Sequence, residues 1–178
     1  IYVLDEPTTG LDVTVEAEVL DLIRNIRTEY GTSVLFISHN LSVVRSICDK
    51  VGVLYAGKLV EEGSAQNVFE HAVHPYTIGL LKCLPTHGLR KDAQRLSTIP
   101  GFLPSLGADL PTCVFVERCS FADETCRTVV PQWRSLGTSS VRCHHAEKVA
   151  GSPGENEIAG VPVEINRKIK PILELVNV

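Results

Sequence analysis

Two groups of residues in this chain have the types and spacing to do chemistry. The first opens the sequence: Tyr2-Val3-Leu4 runs into the acid pair Asp5-Glu6, and Pro7 follows at once. An apolar run closed by two carboxylates reads as a buried strand that delivers both acids at its tip. There Asp5 would hold Mg²⁺ through a water, and Glu6 would orient or deprotonate a water attacking a γ-phosphate. A second apolar run, Ser33 to Ser38, leads into His39 and Asn40. On a strand parallel to the first, His39 reaches the same phosphate and keeps the water and Glu6 in line. Taken singly, an acid pair is a solvated loop start and a lone histidine a surface turn; it is their order and spacing that give them weight.

The second group is sulfur. Cys48 and Cys83 are isolated, whereas Cys113, Cys119, Cys126 and Cys143 crowd one short stretch with five, six and sixteen residues between them. This is neither the paired spacing of a zinc ribbon nor a ferredoxin run. Spacing alone gives four thiolates able to converge on one metal or cluster, against four unrelated buried cysteines. In a reducing compartment clustered thiols favour metal over disulfide, and a loop-rich segment gains order from such a cross-link. Arg118, Arg127 and Arg142 lie beside the thiols, where their charge would favour thiolates, against the plainer reading of surface arginines. His144 and His145 are further possible ligands.

The elements that must position these groups follow from pattern. Asp12 is placed to cap a helix over Val13 to Tyr30, with Val15, Val19, Leu22, Ile23 and Ile26 at helical spacing and Gly31 as its stop. Leu41 to Cys48 reads as a short helix. Val51 to Tyr55 and Lys58 to Glu62 flank Ala56-Gly57, a hairpin signal. Ser64 to Glu70 and Pro75 to Leu84 read as helices. From about Pro85 the periodicity fades and Pro and Gly become frequent. Residues 148–168 are polar and Gly/Pro-spaced, a linker, and Pro171 to Val178 reads as a strand. The 178 residues are 44% apolar with a net charge of −4, which excludes a basic nucleic-acid face. No run reaches the roughly 18–20 apolar residues of a membrane span.

Asp-Glu-Pro-Thr at 5–8, Thr-Gly-Leu-Asp at 9–12 and Ser-His-Asn at 38–40 together resemble the ABC-type ATPases: the Walker B ending, the D-loop and the switch-histidine region. Gly10 stands where alanine is more usual and Asn40 where aspartate is commoner. His74-Pro75-Tyr76-Thr77, then Ile99-Pro100-Gly101 and the Cys113–Cys119 segment, resemble the oligopeptide/dipeptide (peptide/nickel) importer ATPases, so the likeness runs from residue 1 to about 146. It implies an α/β fold, a partial P-loop NTPase core with parallel strands followed by a loop-rich, cysteine-containing extension. It implies catalytic roles for Glu6 and His39, Mg²⁺ on Asp5, and Asp12 at the interface between two ATPase domains that sandwich ATP. It also implies a [4Fe–4S] cluster on Cys113, Cys119, Cys126 and Cys143, with Zn²⁺ as the alternative occupant. Thr112 and Val114 replace the glycine and proline common around the first ligand.

The expected organisation is an ATPase part at 1–84, an extension at 85–147, a linker at 148–170 and the opening strand of a second ATPase domain at 171–178. The implied partners are that second domain, in tandem or as a separate subunit, transmembrane permease subunits, and indirectly a solute-binding protein, at the cytoplasmic face of the membrane and without nucleic acid. The competing readings are a soluble ABC ATPase of the DNA-repair or translation class and an iron–sulfur regulatory module. No Gly-x-x-x-x-Gly-Lys-Ser/Thr phosphate loop occurs in the sequence. The chain is therefore expected to be a piece of an ATPase that begins inside its catalytic core and neither binds ATP tightly nor hydrolyses it alone.

Overall fold

The computed structural model describes residues 1–84, 98–104 and 112–150. Tyr2–Asp5 forms β1 and Val34–Ile37 forms β2, paired in parallel with Asp5 opposite Ile37. A parallel pair needs a long crossover, and helix α1, Val13–Tyr30, provides it. The carboxylate of Asp12 caps α1, accepting from the N–H groups of Thr14 and Val15 at 3.0 and 2.9 Å. Gly31, at φ 58°, closes its far end in the left-handed conformation that costs glycine least. Helix α2, Leu41–Ile47, is capped by Asn40, whose side chain accepts from Ser42 and Val43. The amide at position 40 therefore does the capping work an aspartate would do.

Leu20 and Ile23 of α1 and Val43 and Ile47 of α2 are buried against Leu4, Val34 and Phe36, each contributing about 1.5–3 kcal/mol by leaving water. The helices cover one face of the strand pair only. On the other face Val3 is 62% exposed, and Leu35 and Ile37 are also exposed. Among the described residues the expected burial of these strands thus holds only for the face under the helices, since alternate side chains of a strand point to opposite faces and nothing described covers the second.

The remaining strands are antiparallel. β3, Lys50–Tyr55, and β4, Lys58–Ser64, join through Ala56-Gly57 at φ 47° and 73°, both positive as a tight two-residue hairpin turn requires. β5, Arg134–Leu136, and β6, Ser139–Val141, turn at Gly137 and extend this hairpin into a sheet of order β3-β4-β6-β5. The cysteine-bearing segment is therefore stitched onto the hairpin that follows the parallel pair. Two three-residue strands are too short to print an alternation in sequence. Ser64 caps α3, Ala65–Glu70, and His74 caps α4, Pro75–Lys82. Pro75 takes the first helical position, where its missing N–H costs nothing. A 3-10 turn at Val116–Arg118 and helices α5, Glu124–Thr128, and α6, Ala146–Ala150, complete the described elements. Helix α6 runs to Ala150, past the expected start of the linker. The rest of that linker and the strand expected at 171–178 lie outside the described residues.

The fold is mixed helix and sheet, with α2 between its two halves. Val43 packs toward the parallel pair, while its neighbour Val44 joins Val51, Val53, Val60, Phe115, Cys113 and Cys126 in a second core.

Candidate functional site

The backbone delivers Glu6 to a special place. Its N–H still follows the β ladder, donating to the carbonyl of Ile37 at 2.9 Å. Its φ is 48°, a left-handed conformation uncommon for a residue with a β-carbon and a form of local strain found at functional sites. The carboxylate turns toward the tip of β2. Oε1 accepts the backbone N–H of His39 at 3.1 Å and lies 2.8 Å from His39 Nδ1. Oε2 accepts the Thr9 hydroxyl at 2.7 Å. The bonds from His39, then from Thr9, hold the Glu6 carboxyl below its ordinary range. A carboxylate only accepts, so Nδ1 of His39 carries the hydrogen of this contact. A doubly protonated ring can at the same time donate from Nε2 to a phosphate oxygen. Two groups 33 residues apart are thus brought together at the tips of neighbouring parallel strands. Asp5, one residue before Glu6, is exposed at the end of β1. Asp12 has a structural task that its interface assignment did not include, because Oδ1 caps α1.

The four clustered thiols share one region. Cys113 and Cys119 bracket the 3-10 turn, Cys126 lies in α5 and Cys143 follows β6. Cys113, Cys126 and Cys143 are buried and Cys119 is half-buried, all as free thiols. The backbone N–H of Cys113 donates to the carbonyl of Cys126 at 3.0 Å. Burial, reinforced by the neighbouring sulfurs, pushes Cys119 up to about 12 and Cys143 up to about 11, and burial raises Cys113 and Cys126 as well. Backbone N–H groups pull the other way at all four, that of Asp123 acting on Cys126. Those of Phe115, Phe121 and His145, each two residues on, donate toward Cys113, Cys119 and Cys143. Donors aimed at sulfur favour the thiolate, so the set is suited to a cationic centre that replaces the thiol protons.

The arginines do not do what their position in sequence suggests. The Arg118 guanidinium is spent on the carbonyls of Pro100 and Ile99, at 2.7 and 2.8 Å, and on the Tyr55 hydroxyl. Arg142 lies over the Trp133 ring and Arg127 pairs with Glu117. Arg127 only weakly offsets the rise at Cys126, and the cation that opposes the rise at Cys143 is Arg134. Among the described residues, the trio of potential metal ligands whose atoms all lie within 4.8 Å of one another is Asp123, Cys126 and His145, not three of the four thiols.

A buried polar knot that sequence reasoning missed joins β4 to the start of α4. Glu61 and His74 are 0% and 1% exposed. Glu61 accepts the N–H groups of Val73 and His74 at 2.8 and 3.0 Å, and burial raises its pKa. Burial also pushes His74 down to about 4. As helix cap, its Nδ1 accepts the N–H of Tyr76 at 3.1 Å, which places the ring hydrogen on Nε2. The rings of Tyr55, Tyr76 and His74 surround Phe115 at 5.2, 5.6 and 5.9 Å. The His-Pro-Tyr-Thr segment therefore grips the loop between Cys113 and Cys119. An acid within a hairpin strand gives no warning of this; the only cue was a histidine directly before a helix-starting proline.

Residues 60–126 match the family model described as the C-terminal region of the oligopeptide/dipeptide transporter. Over 153 residues the chain is 44% identical to a Brucella melitensis protein named "Putative peptide import ATP-binding protein", covering 83% of this chain and 44% of that protein. A Brucella ovis protein of the same description matches equally, at 44% over 153 residues with 83% and 44% covered. The Escherichia coli protein named "Probable D,D-dipeptide transport ATP-binding protein DdpD" is 45% identical over 143 residues, with 80% of this chain and 43% of that protein covered. The chain thus spans less than half the length of the curated relatives it matches.

Proposed function

We propose that this chain, which belongs to the oligopeptide/dipeptide transporter family of ATP-binding proteins, supplies part of the hydrolytic site of an ABC-type ATPase that powers uptake of peptides or related solutes. The observation that carries this reading is the Glu6–His39 contact at the tips of two parallel strands. In the proposed site Glu6 is the base toward the attacking water, and His39 donates to the γ-phosphate while steadying Glu6. Asp5 holds Mg²⁺ through a water, and Asp12 caps α1 at the surface that meets a second ATPase domain. Residues 1–84 belong to a P-loop core, whose remaining part covers the exposed face of β1 and β2. Residues 85–147 form the extension. ATP-driven closure of two such domains would move transmembrane permease subunits at the cytoplasmic face of the membrane, with a solute-binding protein upstream. No helix among the described residues is long and apolar enough to cross a membrane.

Cys113, Cys119, Cys126 and Cys143 would hold a [4Fe–4S] cluster, which would supply a covalent cross-link and a one-electron centre. One observation supports the cluster over zinc. Zinc bound by thiolates at about 2.3 Å draws its sulfurs to within about 3.8 Å of one another, and the four thiols do not gather so tightly. The N–H donors aimed at the four sulfurs suit either centre. The experiment is ATP turnover by the intact protein against Glu6→Gln, with anaerobic purification for iron and sulfide. Expected are a turnover loss of roughly 10²–10⁴-fold with ATP still bound and a brown protein bleached by serine at any of the four thiols. Undiminished turnover in Glu6→Gln would remove the hydrolytic reading. A colourless protein would remove the cluster alone.

A further inference from the structure

We infer that Asp123, Cys126 and His145 form a binding site for a single divalent ion of the zinc class, with a ligand set that shares only Cys126 with the four-thiol centre. This goes beyond the ATPase reading and does not rest on it. Asp123 caps α5, its Oδ1 accepting the N–H of Cys126 at 3.0 Å, and its Oδ2 faces His145 Nε2 at 3.1 Å. That spacing is that of an ion pair, yet Nε2 is buried and has no well-aligned hydrogen-bond partner. An oxygen and a nitrogen this close without a hydrogen aligned between them have the spacing of two corners of a metal site. Zinc bonds of about 2.0–2.1 Å to O and N set such corners about 3.3 Å apart.

The third corner is Cys126 Sγ, within 4.8 Å of both partners. A zinc–sulfur bond of about 2.3 Å needs about 3.6 Å between sulfur and nitrogen, a closure of little more than about 1 Å. Carboxylate, imidazole and thiolate are the donors a borderline-soft dication prefers. Asp123 and Cys126 together bring two negative charges against its two positive ones. The Cys126 thiol proton leaves to solvent as the sulfur–metal bond forms. The side chains of Asp123 and His145 are 48% and 25% exposed, so the ion enters from solvent and a water completes its shell, while Cys126 lies buried behind them. Because Cys126 serves both ligand sets, the ion and the four-thiol centre exclude each other, and the ion occupies protein that carries no cluster.

The test uses the intact protein, stripped of iron under anaerobic conditions and titrated with Co²⁺, then with Zn²⁺ as competitor. The expected result is one Co²⁺ per chain, with tetrahedral visible bands and a near-ultraviolet charge-transfer band sized for one thiolate, displaced by one Zn²⁺. Asp123→Asn keeps an oxygen to cap α5, and His145→Gln removes the ring nitrogen. Each should weaken Co²⁺ at least about tenfold, since even outer-shell losses cost metal sites 10–100-fold. Cys126→Ser should abolish the charge-transfer band and Cys119→Ser should leave it. Helical circular dichroism equal to wild type shows that the variants are folded. Unchanged affinity in both Asp123→Asn and His145→Gln would overturn the site. So would a band sized for several thiolates and lost in Cys119→Ser, or no Co²⁺ binding at all. Iron–sulfur absorption of the protein as purified is read separately, so that either proposal can fail while the other stands.

Discussion

Acid should loosen this protein through His74, and His74→Asn should remove that part of the effect. The ring is fully buried at the start of α4 and its pKa is pushed from 6.5 to about 4. The folded state therefore refuses a proton that the unfolded chain accepts. The stability involved is fully present above pH 6.5 and is lost as pH falls toward the folded value. A gap of about 2.5 units at about 1.36 kcal/mol each comes to about 3 kcal/mol when fully developed, most of it lost by about pH 4.5. Asparagine keeps an oxygen to accept from the Tyr76 N–H and does not titrate. Urea unfolding of the intact protein at about pH 7.5, 6 and 4.5 measures both forms. Packing lost around Phe115 lowers the variant at every pH, so the comparison is one of slopes. Groups elsewhere, Glu61 included, titrate in both backgrounds. Wild type should lose about 2–3 kcal/mol more than His74→Asn between the extremes. Parallel curves would mean that His74 takes up its proton in place, and the burial argument would be wrong.

Glu61 should act with the opposite sign. Its folded pKa is raised by burial, so the native state holds the proton more tightly and wild type should gain on Glu61→Gln as pH falls through the raised value. Glu61→Ala should also lose about 2–6 kcal/mol by stranding the N–H groups of Val73 and His74, and a loss under about 1 kcal/mol by denaturant melt would contradict the clamp. Asp12→Ala should lose about 1 kcal/mol as a lost helix cap, and Asp12→Ser much less. Equal stability of the two would leave Asp12 its interface role alone.

The first half of this molecule was legible because its signals are local and long. Asp12 and Gly31 bracket eighteen periodic residues, and the structure begins and ends α1 between them. Ala56-Gly57 marked its hairpin because only certain residues accept two positive φ values in succession. The Glu6–His39 pairing could be read because two apolar runs ended in the right residue types. The second half was not legible, since its order comes from tertiary contacts. β5 and β6 are three residues each and exist by pairing, β6 onto β4 and β5 onto β6. Proximity to the thiols in sequence was not proximity in space for Arg118 and Arg142, which face other partners, and the thiols rise through burial. Glu61 went unnoticed because a buried carboxylate and a solvated one look alike in a strand of seven residues.

The central claim is that Glu6 and His39 act as one unit on a single phosphate. ATP hydrolysis by the intact protein, measured for Glu6→Gln, His39→Ala and the double variant under single-turnover conditions, tests it most directly. Groups that work through each other lose their effect together, so the double variant should be no slower than the worse single one. Losses that multiply would show two independent contributions and contradict the account.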